Sequence, residues 1–471
     1  MMTHHDPPLT RLPMEVLDEI VSYLSVEYFV SLRLTCKTVE RALFRQFSRR
    51  FFETRQCLFP NKYNLQTLLD ISTHPALSEA LQHVIIATDR SIFSNTGGIE
   101  HITHLPKSFP WWISRHLKHL KPSGDFGDGF GAAGEDRPLL SEIFSNLPNL
   151  KTIQLRDFKG PSDTTRVRVP DFPELSWPAS EAYARDEFND HMFAVVLASL
   201  ADANARPEHL GVIFSGFTFC LRNLAFYIPS QLEPSIGAAV FGLKHLDLSL
   251  NLDSEDHPAN NALFVQRFLV MTPNLVYLRL RFPHLQSIFH THHLLAWLGR
   301  HAQSHLHEQP VQGRVQWMTQ RVGLTPSLNE PDPVGLPHLQ QLVLENFIGI
   351  PETMMNLVTK FGPSLRTLKL DNTAYLVDLH NKFEHRVNIW TPLLKHIAEQ
   401  CDLREWSIGC PRISLPHERR VISTYTIDLL AGGSGVVSYK GDDAKAMLKA
   451  TADDISFSWV YSITAARNGG A

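Results

Sequence analysis

The sequence predicts a mixed α/β protein: a short helical module at the N-terminus, then a long array of helices alternating with short parallel strands. Three observations lead there. Apolar residues recur at helical spacing over roughly the first 50 residues. Beyond them the pattern L-x-x-L-x-L returns along most of the chain. Proline stands just ahead of several copies, where it separates a helix from a strand.

The N-terminal segment reads LTRLPMEVLDEIVSYLSVEYFVSLRLTCKTVERALFRQF from Leu9. Pro13 suits a helix start, because its fixed φ and missing N–H cost nothing there. Glu15 and Asp18 follow at the end of the helix dipole that favours negative charge. Val16/Leu17, Ile20/Val21 and Leu24 then form one apolar face. Ser25 fits the N-cap of a second helix over 26–34, with Phe29, Val30 and Leu32 apolar. Thr35 fits the cap of a third over 36–47, with Val39, Leu43 and Phe47 on one stripe. A unit of about 40 residues cannot bury all this surface by itself. It leans on a partner or on the next domain. Arg41, Arg45, Arg49, Arg50 and Arg55 make a basic stripe, read first as a solvated helix face and second as a contact for an acidic partner.

The repeated pattern begins with LPNLKTIQL at Leu147, LKHLDLSL at Leu243, PNLVYLRL at Pro273, LPHLQQLVL at Leu336, PSLRTLKL at Pro363 and DLREWSI at Asp402. Weaker copies are LQHVII from Leu81 and LRNLAFYI from Leu221. Alternation at the end of each copy is a strand signal. Pro148, Pro273, Pro337 and Pro363 stand two residues before the first leucine. Segments 139–147, 262–271, 353–361 and 392–401 suit the preceding helices. First leucines are 32 apart (243 to 275), 26 apart (339 to 365) and 38 apart (365 to 403), with a double step of 64 (275 to 339). Such steps lie near a repeat of roughly 25–35 residues. One strand–helix unit cannot cover its own apolar face, so neighbours stack. Asparagine after the strand is read only at Asn251. The insertions are long at 89–135, 156–186 and 300–335. After Ala431 a GGSG turn leads to an expected helix over 442–452 and an apolar strand over 455–463, a cap for the open end of the array.

Composition narrows the function. Apolar residues are 43% and charged residues 20%, with a formal net charge of -4, so no basic field points to nucleic acid or a membrane surface. No apolar run approaches the roughly 18 residues of a membrane span, and the start of the chain carries no secretory signal. Cys36, Cys57, Cys220, Cys401 and Cys410 are scattered with no CxxC, which fits a reducing compartment, cytoplasm or nucleus. Gly129 to Gly134 matches G-x-G-x-x-G, but no strand precedes it and no helix follows, so it reads as a loop. His290, His292, His293, His301, His305 and His307 cluster, and His301 and His305 stand at i, i+4, yet no carboxylate or cysteine completes a metal set. There is no G-x-S-x-G elbow and no P-loop. No catalytic residue, metal site or cofactor is assigned.

Leu12, Pro13, Glu15, Val16, Leu17, Ile20, Tyr23 and Leu24, followed by Leu32, Arg33, Leu34, Cys36 and Lys37, resemble the F-box consensus in order and density. The family often has tryptophan three residues after the cysteine, where Val39 stands. The array resembles the irregular leucine-rich-repeat solenoid that follows the F-box in many fungal and animal F-box proteins, with parallel strands on the concave side and helices on the convex side. The resemblance implies an F-box at 9–50, a helical linker at 51–80, an irregular leucine-rich-repeat-like domain at 81–430 and a capping segment at 431–471. It implies a substrate-recognition subunit of an SCF-type cullin–RING ubiquitin ligase, not a catalyst. The Skp-family adaptor would tie it to cullin and RING subunits, and the repeats would hold a protein target for ubiquitin-dependent degradation. The other readings are an F-box scaffold acting outside the ligase and an α/β enzyme. Adaptor contacts implied are Leu12, Pro13, Val16, Ile20, Leu24, Leu32, Cys36 and Val39. Strand positions that alternate away from the core nominate Arg156, His245, Asp247, Tyr277, Arg279, Arg281, Glu345, Lys369 and Asp371 for the target. Their mixed signs imply no single substrate charge.

Overall fold

The structure, a computed structural model, describes residues 12–59, 62–88, 136–156, 179–214, 220–252, 262–282, 288–301, 330–376, 389–416, 422–426, 436–453 and 460–462. The glycine-rich segment 129–134, His305 and His307 lie outside them.

Three helices open the chain: α1 (Met14–Ser22), α2 (Val26–Arg33) and α3 (Lys37–Phe52). Pro13 stands at the N-cap of α1. Ser25 caps α2, its Oγ accepting from Tyr28 N at 3.5 Å. The third cap differs from the expectation. Cys36 takes that place with no side-chain bond, while Thr35 Oγ1 donates back to Leu32 O at 2.7 Å. Helix α3 also runs five residues past the expected Phe47 and leads straight to the body. Leu17, Val21, Phe29, Val39 and Leu43 close a small core of their own, with Leu12, Leu24, Leu32 and Phe47 against it. Phe29 stacks on Phe51 with ring centroids 5.9 Å apart, and Arg33 lies 3.6 Å over the Phe47 ring.

The body begins with β1 (Thr54–Phe59), α4 (Lys62–Thr73), α5 (Pro75–Ala80) and β2 (His83–Thr88). Residues 51–80, read as helical, thus contain a strand, and β1 pairs in parallel with β2. Next come α6 (Asp136–Ser145), β3 (Thr152–Arg156), α7 (Ala179–Asp202), β4 (His209–Ile213), β5 (Leu221–Arg222), α8 (Glu233–Val240) and β6 (His245–Asn251). They are followed by α9 (Leu263–Val270), β7 (Tyr277–Arg281), α10 (Ile288–Gly299), β8 (Gln341–Glu345), β9 (Ile348–Gly349) and α11 (Pro351–Phe361). The chain continues through β10 (Thr367–Asp371), β11 (Ala374–Leu376), α12 (Trp390–Gln400), β12 (Glu405–Gly409), β13 (Arg412–Pro416) and β14 (Ile422–Thr426). The last elements are β15 (Val436–Lys440), α13 (Ala444–Asp453) and β16 (Val460–Ser462).

Among the described residues, the main sheet runs in chain order as β1-β2-β3-β4-β6-β7-β8-β10-β12-β15, with β5 paired to the end of β6. Every pairing from β1 to β12 is parallel, and β15 closes the end antiparallel to β12. The second and fourth strand residues, such as Leu246/Leu248, Leu278/Leu280 and Leu368/Leu370, share one apolar core with the helices. The strand read at Leu221 is a two-residue bridge running into a 3-10 turn, Asn223–Phe226. Asn223 Oδ1 there accepts from Phe264 N (3.0 Å) and Val265 N (3.3 Å), capping α9. The rung in its place is β4, which the pattern missed because Pro207 stands where the first leucine belongs.

Each of β8, β10 and β12 is followed directly by a residue with positive φ: Asn346 (56°), Asn372 (50°) and Cys410 (42°). That turn diverts the chain into a second sheet of order β16-β14-β13-β11-β9. Asparagine tolerates this conformation better than most residues. Asn372 Nδ2 donates to Asn346 Oδ1 at 2.7 Å, a ladder between neighbouring turns. The expectation of a post-strand asparagine only at Asn251 is therefore corrected, since Asn251 lies inside β6.

At the C-terminal end, α13 buries Leu448 in the core, and Trp406 Nε1 donates to Ala444 O at 2.9 Å. Among the described residues no helix is long and apolar enough to cross a membrane.

Candidate docking surfaces

Two surfaces collect the residues nominated from sequence. The first is the outside of the helical module. Burying Leu17, Val21, Phe29, Val39 and Leu43 leaves a second apolar set in water: Met14, Val16, Ile20, Tyr23, Val26, Tyr28 and Leu34. Val16, Ile20 and Tyr23 follow one stripe of α1, spaced four and three residues apart. Tyr23 is 81% and Leu34 75% exposed. Aromatic and aliphatic groups held open this way make the face a candidate docking surface.

The eight nominated adaptor residues therefore divide. Pro13, Val16, Ile20 and Cys36 are exposed. Leu12, Leu24 and Leu32 are half-buried against the module's own core. Val39 is 3% exposed and faces inward, so a tryptophan there would be packing, not contact. Tyr23, Tyr28 and Leu34 were absent from the nominated contacts, though their apolar character beside helix ends was readable.

The arginine stripe is partly engaged. Arg50 Nη2 donates to Leu24 O at 3.3 Å, and its guanidinium lies 5.6 Å from the Phe29 centroid. Arg55 lies 4.9 Å from the Phe52 ring.

The second surface is the sheet face turned away from the helices. In-register pairing lines up the first strand residues as His83, Thr152, His209, His245, Tyr277, Gln341, Thr367 and Glu405. Thr152 Oγ1 is hydrogen-bonded to His83 Nδ1 at 2.8 Å. The His209 and His245 rings approach to 3.9 Å, and Tyr277 stacks 5.6 Å beyond His245. Burial lowers the pKa of His83, His209 and His245, and the imidazole of His245 lowers that of His209 further. His83 and His209 were not nominated, the first lying in a weak copy and the second in the unread strand.

Beside this row stands an ion network. Arg279 Nη1 donates to Asp247 at 3.2 Å, and its Nε and Nη2 donate to Glu345 at 3.0 and 3.1 Å. Arg281 Nη1 donates to Phe214 O at 2.7 Å, and its Nε lies 3.7 Å from Glu345. Burial pushes the Asp247 carboxyl up to about 6, outweighing the opposite pull of Arg279. Burial likewise pushes the Tyr277 hydroxyl up to about 12. Five nominated residues thus meet in one place, but as a self-neutralised cluster whose arginines are already engaged.

The remaining nominees are apart. Lys369 Nζ pairs with Glu405 at 2.5 Å, with Lys440 at 3.6 Å on the other side. Arg156 donates through Nε to Gln154 Oε1 at 2.9 Å on β3. Asp371 is exposed at the end of β10.

Within the histidine cluster, His292 and His293 have separate partners. His292 is buried, held by Thr353 Oγ1 at 3.0 Å, and burial brings its pKa down to about 4. His293 lies 3.6 Å from Glu330. Among the described residues no group of three or more His, Cys, Asp or Glu side chains is placed to hold a metal ion.

No match is found among the curated proteins. Among solved structures, the yeast Rad7–Elc1 complex is similar over 88% of this chain and 90% of that chain, at 11% identity and a TM-score of 0.23, too low to indicate a shared fold. The family of F-box domains, which bind Skp1-type adaptors, matches at residues 9–51. The exposed apolar stripe on α1 belongs to that match: the N-terminal module is an F-box domain.

Proposed function

We propose that this chain is the substrate-recognition subunit of an SCF-type cullin–RING ubiquitin ligase. The observation that carries the reading is the division of the F-box into a closed core and an exposed apolar set around Pro13, Val16 and Ile20. Roughly 25 cal/mol is recovered for each Å² of such surface removed from water, so a Skp-type adaptor seated there stabilises both partners. Through the adaptor the chain joins the cullin and RING subunits.

The body, on this reading, is an irregular leucine-rich-repeat array starting at Thr54, one strand per unit, with β15 and α13 as its cap. Parallel in-register strands and one-sided helices support it. The strand face, with its histidine–tyrosine row and balanced ion network, holds the target protein. The chain's contribution is proximity: it keeps a target lysine near the ubiquitin thioester.

The test is co-expression with a Skp-type adaptor, followed by co-purification. Val16→Asp with Ile20→Asp should abolish capture while the melting of the body stays unchanged. Full capture by that variant refutes the docking face. Ubiquitin transfer to a captured protein, reconstituted with cullin and RING subunits, separates a ligase subunit from a scaffold that binds the adaptor alone.

A further inference from the structure

We propose that the edge of the main sheet just ahead of β8, β10 and β12 carries a binding site for a phosphoryl group. Gln340, Arg366 and Arg404 each immediately precede one of these strands. Their backbones are bonded rung to rung, Arg366 N to Gln340 O at 2.7 Å and Arg404 N to Arg366 O at 2.8 Å. The three side chains therefore rise from adjacent rungs, about 4.8 Å apart. Pro337 and His338 come from the turn before β8 and Ser364 from the turn before β10. Together the six residues line an open cavity of about 330 Å³.

The chemistry of the lining is one-sided. It contains two guanidinium groups, an imidazole and an amide, and no carboxylate. Ser364 Oγ has its proton committed to Leu339 O at 2.8 Å. Arg366 Nη1 is fixed on Leu365 O at 3.0 Å, which holds the side chain in place and leaves its other N–H groups for a ligand. Among the described residues Arg404 has no ion-pair partner. The same edge is built differently where it is meant to be neutral: on the rungs of β4 and β6, Lys244 Nζ lies 3.2 Å from Glu208. Like charges on neighbouring rungs oppose each other, so the Arg366/Arg404 pair favours an anion, and among the described residues no carboxylate is bonded to either.

A tetrahedral phosphoryl group fits the donor set best. Each guanidinium presents a planar fork of N–H groups that meets two oxygens at once. Two forks, with His338 and Gln340 beside them, offer more donors than a single carboxylate can accept. The volume leaves room for whatever chain bears the phosphate. Free phosphate and a phosphorylated side chain share this chemistry. The inference stands apart from the F-box and holds whether or not the chain joins a ligase.

Calorimetric titration of the full chain tests it, with inorganic phosphate, a phosphoserine pentapeptide, its unphosphorylated form and acetate as probes. Saturable 1:1 binding of a phosphate probe is expected, with none for acetate or the unphosphorylated peptide. Arg366→Gln with Arg404→Gln should weaken it at least tenfold at an unchanged melting midpoint, while Lys244→Gln leaves it intact. If the double variant melts early, Arg404→Gln alone should still weaken binding several-fold. Tighter binding of the phosphopeptide assigns the site to a protein side chain, and equal binding assigns it to free phosphate. No saturable binding of either phosphate probe, or equal affinity in the arginine variants, overturns the proposal.

Discussion

Asn372 gives one amide hydrogen to the side-chain oxygen of Asn346, 2.7 Å away, and both residues stand at positive φ where their strands turn into the second sheet. Each asparagine thus does two jobs, tolerating the left-handed turn and tying it to its neighbour. Asn372→Ala should destabilise by about 2 kcal/mol, combining a lost hydrogen bond with the cost of a Cβ-bearing residue in that conformation. Asn372→Gly loses the same bond but not the conformational freedom, so it should cost about 1 kcal/mol less. Equilibrium urea unfolding of the two variants checks the difference, and equal losses would show that φ is not strained there.

Phe29 is fully buried in the F-box, while Ile20 is on its surface. Phe29→Ala should cost the module about 3–5 kcal/mol. Val39→Trp should cost about 1–3 kcal/mol by overpacking, instead of improving adaptor capture. Hydrogen exchange across residues 14–52 reports both. Unchanged protection in either variant contradicts the packing described.

Asp247 ionises near pH 6 in the folded chain instead of 3.8. Between those values the folded state keeps a proton that the unfolded state has lost. Its stabilising share is therefore complete below about pH 4 and is lost as pH rises through 6. Asp247→Asn should remove that slope, visible in urea midpoints collected from about pH 4 to pH 7. Arg279→Gln takes the bonded cation from Asp247 and leaves Glu345 only the more distant Arg281, and should cost about 3 kcal/mol.

His209 and His245 run the opposite way. Their pKa values lie below the ordinary 6.5, so the unfolded chain takes up protons first as pH falls. Their share is full above pH 6.5 and declines below it. His209→Gln with His245→Gln should shrink the drop in melting temperature between about pH 7.5 and pH 5.5. An identical drop in the variant would place its origin elsewhere.

Strands were readable wherever leucine fills the pattern, because the second and fourth positions face the helices and tolerate little else. The rung of β4 escaped because a buried Pro207 stands in place of the first leucine, while Leu210 and Val212 keep the core positions. Asn346 and Asn372 escaped because the strand end was judged from its apolar run, whereas the turn is set by φ. Val16 and Ile20, expected as adaptor contacts, lie on the surface, but Val39 was not distinguishable from them, since helical spacing does not say which apolar face looks outward. The pairing of Arg279 with Asp247 and Glu345 joins strands 32 and 66 residues apart, a relation no local motif encodes.

The main sheet lists its strands in the order in which they are synthesised. As the chain leaves the ribosome, each new strand of this sheet meets a neighbour already in place. The last strand to join this sheet is β15, which docks antiparallel on β12. A prematurely terminated chain would therefore be folded up to its break yet carry an unpaired edge on β12, a template for a second such chain. Completion of synthesis, on this account, moves the open end of the described sheet from the parallel rung β12 to the antiparallel strand β15.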